Sequence, residues 1–297
     1  MKSIVYSQWK DTAKAIHLVS QMMGKVKLAR MSVQPAWQQV VLPMTARGFT
    51  TGLIPNDAES FSISMDIVDS TITAENIRGD KSEFQFRDGA SIHEYYQDFG
   101  HMLNQISSAT PINTVPQETS WTTPFELDTA KLPYDAAAAN TYFTMCVFAH
   151  NAIYNALSPL RAAKLMPALF WGTFDLTGVL FSGIPEPFSG TGLLNAISFD
   201  ERMVEFGFWP GDDQTDEPSF FVLPYPFISQ SSEPVRPEKA IFSPKKQEWF
   251  LSLRDVWQDE NPTDVVQQFF HDAFLATAKI NHWEHLDWIT RPIRTLR

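Results

Sequence analysis

The chain has 297 residues, with 34 acidic side chains against 23 Lys and Arg and a net charge of −11. Neutralising phosphates needs a basic surface, so this balance argues against duplex nucleic acid or an anionic membrane as the main partner. The single cysteine, Cys146, excludes an intrachain disulfide and fits a reducing, cytoplasmic compartment; no signal-peptide pattern opens the sequence and no apolar run is long enough to span a bilayer.

In chain order, Asp11 and Thr12 open a predicted helix that runs to about Arg30. Steps of about 100° gather Ile16, Leu18, Val19, Met22, Met23 and Val26 on one side and Ser20, Gln21, Lys25 and Lys27 on the other. A β meander follows. Its strands are Gln38 to Pro43, Phe49 to Ile54 after a turn to which Gly48 lends freedom, the alternating run Phe61 to Val68, and a hairpin of Thr71 to Ile77 with Glu83 to Arg87. Ser91 and Glu94 have the spacing of a capping box, opening a helix with Ile92, Tyr95, Tyr96, Phe99, Leu103 and Ile106 on its apolar face. Residues 109–133 hold four prolines and many threonines and read as an extended connector crossing the surface.

A helix from Asp135 to about Leu157 is apolar nearly all round and is expected to be central and buried. Strands are then predicted at Leu169 to Asp175, Gly178 to Phe181, Met203 to Trp209, Phe220 to Tyr225 and Trp249 to Leu253. A Pro- and Ser-rich excursion, Pro226 to Pro244, precedes the last of them. Thr263 and Asp264 open a final long helix with Val265, Val266, Phe269, Phe270, Ala273 and Phe274 inward. The expected class is α+β, in two similar halves (1–110 and 134–297, joined by 111–133), each an antiparallel meander flanked by helices. The order of elements, with short echoes such as Thr51-Gly-Leu-Ile-Pro and Ser182-Gly-Ile-Pro, suggests an internal duplication.

No glycine-rich phosphate loop, nucleophile elbow, paired-cysteine zinc pattern or His-Glu-x-x-His helix is present. Among the seven histidines, His93, His101 and His271 fall on polar helix faces. His17, Gln21 and Lys25 form an i, i+4, i+8 ridge that reads either as a cleft lining or as a wet helix face. His282 and His285 read either as a metal pair with nearby acids or as a polar turn. His150 projects into the apolar arc of its helix, where a buried imidazole needs partners and can serve as a general acid or base. Asp212, Asp213, Asp216 and Glu217 read either as oxygen ligands for a hard cation or as a solvated loop. The three C-terminal arginines, Arg291, Arg294 and Arg297, read as solvated or as a local basic patch. Asp175, if inward, is expected to be paired, with Arg47 the named partner.

Trp9-Lys-Asp-Thr, Thr45-Ala-Arg-Gly-Phe-Thr-Thr, Phe170-Trp-Gly-Thr-Phe-Asp-Leu, Phe181-Ser-Gly, Gly207-Phe-Trp-Pro-Gly and Asp216-Glu-Pro occur in this order over nearly the whole chain. Together they resemble the uncharacterised family known as domain of unknown function 5996. The resemblance implies no activity. The family pattern has a histidine where this chain has Ala168, which puts chemistry relying on that histidine in doubt here. The leading expectation is a small-molecule binding protein or enzyme with an aromatic-lined pocket between the halves. Its polar and stacking groups would be Arg47, His150, Trp171, Asp175, Trp209 and Glu217: arginine for an anionic group, tryptophans for a planar face, acids for donors. No catalytic residue, metal ligand or cofactor is assigned, and the oligomeric state is open. The rivals are an interaction or structural protein, with the rings in a filled core and an exposed docking patch, and a metal-dependent hydrolase.

Overall fold

Helix α1 (Lys10–Arg30) starts the fold of a computed structural model that describes residues 2–56 and 59–293. The chain is α+β, its antiparallel sheets flanked by helices, and by its backbone contacts it divides into two compact units. One unit takes residues 2–144 and 168–175, the other 145–167 and 176–293 of the described chain. Of the C-terminal arginines, Arg294 and Arg297 lie outside the described residues, and Arg291 lies over the Trp288 ring at 5.4 Å.

In the first unit β1 (Leu42–Pro43) pairs with Ala168 and Leu169. Strands β2 (Gly48–Thr50), β3 (Phe61–Asp66), β4 (Thr71–Asn76) and β5 (Lys81–Gln85) form an antiparallel meander in sequence order. The alternation along β3 is kept, with Phe61, Ile63 and Met65 buried and the residues between them half-buried. Gly48 acts by close approach and not by turn freedom: a Cβ there would lie 1.9 Å from the Met65 carbonyl oxygen. A short pair, β6 (Ala90–Ser91) with β7 (Lys131–Leu132), leads into α2 (Ile92–Gln105). The capping box holds as read: Ser91 Oγ accepts from Glu94 N at 3.2 Å, and the Glu94 carboxylate accepts from Ser91 N at 2.7 Å.

Helix α3 (Ala136–Leu157) is opened by Asp135, whose carboxylate accepts from the amides of Ala137 and Ala138. It is less buried than its composition predicts. Thr144, Asn151 and Asn155, its few polar residues, are exposed, and Val147 and Tyr154 widen them into a stripe that residue type alone does not mark.

In the second unit residues 164–167 of β8 (Lys164–Phe170) are followed across the sheet by β9 (Asp175–Pro185), β10 (Glu201–Trp209), β11 (Ser219–Tyr225), β13 (Glu248–Ser252) and β12 (Ile241–Ser243). A short α4 (Leu193–Ser198) lies between β9 and β10, and α5 (Leu253–Trp257) follows β13. Helix α6 (Pro262–Ile280) packs on β10 and β11, its Phe270 ring 5.4 Å from Phe206 and 5.9 Å from Phe220. The last element is α7 (Leu286–Ile289). No described helix is long and apolar enough to cross a membrane.

Candidate functional site

Two places bring polar chemistry against aromatic rings, one in each unit. The first is the polar side of α1, for which a cleft lining and a wet helix face were both open readings. Ser20, Gln21, Lys25 and Lys27 are all buried, and so is His17. Their polar ends are satisfied by backbone: Lys25 Nζ donates to Val115 O at 2.7 Å, Lys27 Nζ to Val41 O, and Ser20 Oγ to His17 O. Burial pulls both lysines down to about 8. The Gln21 amide donates to Gln117 O at 2.8 Å and accepts from Gln117 N at 2.9 Å, as a neighbouring strand would. Residues 115–121 therefore lie as a strap on α1.

His17 Nε2 faces two carbonyl oxygens, of Trp171 at 2.9 Å and Gly172 at 3.0 Å. Carbonyls only accept, so Nε2 carries the proton and the lone pair of the neutral ring is on Nδ1. The Gln21 nitrogen, 3.3 Å from Nε2, has its orientation fixed by Gln117 and adds a second positive edge. Burial holds the His17 pKa down to about 4, outweighing the two carbonyls, so the ring is neutral at pH 7. It stacks on Phe174 at 4.5 Å, which continues through Tyr142 at 5.3 Å to Trp9 at 4.7 Å.

The Phe-Trp-Gly-Thr-Phe-Asp motif is not one strand. Residues 171–174 are a turn between β8 and β9, with Phe174 in the left-handed region at φ +67°. Trp171 is buried on Gly24, where a Cβ would lie 2.0 Å from the indole nitrogen, and its Nε1 donates to Val40 O at 3.1 Å. Gly172 abuts the Glu118 side chain. Burial and then the charge of Asp175 raise the Glu118 pKa. Asp175 is buried, as the inward reading expects, but it accepts from Thr173 Oγ1. Arg47 is not its partner: that guanidinium is half exposed and paired with Asp66 and Asp69, across the β2–β3 register.

The remaining candidates fall in the second unit. His150 is half-buried, not enclosed, because it borders the exposed stripe of α3; its Nδ1 is 3.3 Å from Asn151 Oδ1 and it stacks on Tyr154. Trp209 lies under the Lys246 ammonium at 4.5 Å, and Glu217 pairs with Arg254. Asp212 caps its own loop, accepting from the amides of Gln214 and Thr215. Arg47, Trp171 and Asp175 thus belong to one unit, and His150, Trp209 and Glu217 to the other. His282 and His285 are exposed, and among the described residues no group of three His, Cys, Asp or Glu side chains is placed to hold a metal.

The second place is a cleft of about 610 Å³ in the second unit. Its floor is Phe206 of β10 with Phe270 and Phe274 of α6. Its rim is Asp264, Gln267, Gln268 and His271 of α6, Arg236, Asn155 and Ala156 of α3, and Pro159 and Leu160 just beyond it. The four α6 rim residues are spaced i, i+3, i+4, i+7 and so share one helix face. Arg236 is held side-on by Asp272, through Nε at 2.8 Å and Nη2 at 3.1 Å. Burial alone would raise the Asp272 carboxyl, but Arg236, His271 and Gln268 hold it down to about 2. None of the six sequence candidates lines this cleft. The ridge spacing on α6 was available in the sequence; Arg236, within the Pro- and Ser-rich excursion, carried no signal. A shallower groove of about 510 Å³ runs along α2 in the first unit, lined by Tyr96, Phe99, Leu103 and Ile112.

Compared with known proteins, the chain matches a family model, described as a family of unknown function (DUF5996), over residues 1–288. Searches of curated proteins and of solved structures returned no match.

Proposed function

The chain belongs to this family of unknown function, matched from residue 1 to residue 288, and from that premise we propose that it binds a small organic molecule in the phenylalanine-floored cleft of the second unit. The observation that carries the reading is the cleft itself. About 610 Å³ is within the range that holds a metabolite-sized ligand, and a ring floor under a few polar groups is the usual make-up of such sites. The α1 ridge of the first unit supports a different role. Its buried donors are spent on backbone carbonyls of the strap and the 171–174 turn, which is what holding two irregular segments in place requires.

The test is a thermal-shift screen of metabolites against the wild-type chain and against Ala156→Trp. Ala156 lines the cleft and is half-buried, so the substitution puts an indole into the cavity. A ligand at a hundredfold excess over its Kd stabilises the native state by about 2.7 kcal/mol, a rise of roughly 5 °C in Tm. The expected result is at least one such compound whose effect is lost in Ala156→Trp. If every stabilising compound acts equally on both proteins, the cleft is not the site.

A further inference from the structure

We propose that the cleft of the second unit takes a primary amine with a small apolar body, an inference that rests on the small-molecule reading above. Gln267 Nε2 donates to Ala152 O at 2.6 Å, and Gln268 Nε2 donates to Asp272 Oδ1 at 2.7 Å. Both amides are thereby oriented with nitrogen inward to the protein, and each keeps its carbonyl oxygen as an acceptor. Asp264, exposed at the rim, makes no ion pair or hydrogen bond among the described residues. Asp264, Gln267 and Gln268 are spaced i, i+3, i+4, so three acceptors share one face of α6. An ammonium group brings three donors and no acceptor.

The charges around the cleft favour the same class. Among the described lining residues Arg236 is the one cation, and Asp272 neutralises it through a two-point contact, with His271 Nδ1 a further 3.3 Å neighbour of that carboxylate. Asp264 is then the lining carboxylate with no side-chain partner among the described residues. The N-terminal end of α6 opposes a cation, but its effective charge is about half a unit against the full unit of Asp264.

The experiment is isothermal titration of the full chain at pH 7 with three probes of matched body: phenethylamine, 2-phenylethanol and 3-phenylpropionate. The amine is expected to bind about tenfold more tightly than the alcohol, with the carboxylate weakest; tenfold is about 1.4 kcal/mol. Asp264→Asn, at an exposed position that leaves the fold intact by far-UV circular dichroism, should remove most of the amine's advantage and leave the alcohol within about twofold. Ala156→Trp should abolish binding of all three. Carboxylate binding as tight as the amine's, or an amine affinity unchanged in Asp264→Asn, overturns the amine assignment while leaving the small-molecule reading standing. Amine binding that persists in Ala156→Trp also overturns it, because the amine is then held elsewhere. Heat from none of the three overturns it too, and the metabolite screen alone then decides whether the cleft binds anything.

Discussion

Gly24→Ala separates the packing account of α1 from a purely local one by the sign of its effect. Gly24 lies mid-helix, where replacing glycine by alanine stabilises by about 1 kcal/mol on helix propensity alone. Here a Cβ would lie 2.0 to 2.3 Å from three atoms of the Trp171 indole. The ring has to move, and forcing an extra carbon into a packed core costs about 1–3 kcal/mol. Moving it also puts at risk the Nε1 bond to Val40 O, about 1 kcal/mol more. The net expectation is a loss of roughly 1–3 kcal/mol. Urea unfolding followed by near-UV circular dichroism measures it, as a lower midpoint with an unchanged slope. Since Trp171 O and Gly172 O hold His17, the same variant should also change the His17 ring signals in NMR. A midpoint that rises by the propensity increment would refute the packing account.

Two further outcomes follow from the same unit. His17 is buried with its pKa lowered from 6.5 to about 4, so the unfolded chain binds a proton there more readily than the folded one. Its contribution is present above pH 6.5 and is lost as pH falls towards 4, about 2 kcal/mol of it by pH 5. His17→Gln should flatten the stability profile between pH 7 and 5 relative to wild type; parallel profiles would show that His17 does not titrate in this way. Ser91→Ala removes the side chain that accepts from Glu94 N and donates to its carboxylate, and is expected to cost about 1–2 kcal/mol in urea unfolding. A change of a few tenths would mean that the Glu94 contact to Ser91 N holds the helix end unaided.

The elements that could be read directly were those whose signal is local. The Ser91 to Glu94 spacing places a helix start because capping involves side chains and amides three residues apart. The β3 alternation places a half-buried strand for the same reason. The outer face of α1 could not be read, because Gln21, Lys25 and Lys27 are polar by residue type and buried by circumstance, their donors met by carbonyls up to 96 residues away in sequence. The 171–174 turn was hidden by its rings: aromatic content reads as strand, while Phe174 is held left-handed by the stack of His17, Phe174, Tyr142 and Trp9. Trp171 and Asp175 were singled out for their residue types, and the structure gives each a neighbour within its own unit, the Val40 carbonyl and Thr173. His17, whose pKa burial holds down to about 4, was marked in the sequence only by its i, i+4 relation to Gln21.

The strap of residues 115–121 has a bearing on how the first unit opens. It belongs to no strand or helix, and its carbonyls at Val115 and Gln117 are held by side chains of α1. A segment secured in this way opens by the release of side chains: its amide at Gln117 is freed when Gln21 lets go. Hydrogen exchange at that amide therefore reports the release of the strap from the side chains of α1, and a protease that nicks the strap samples the same event. The proline-rich stretch, which looks like the natural place for a cut or an insertion, is instead fastened by buried side chains of the helix beneath it.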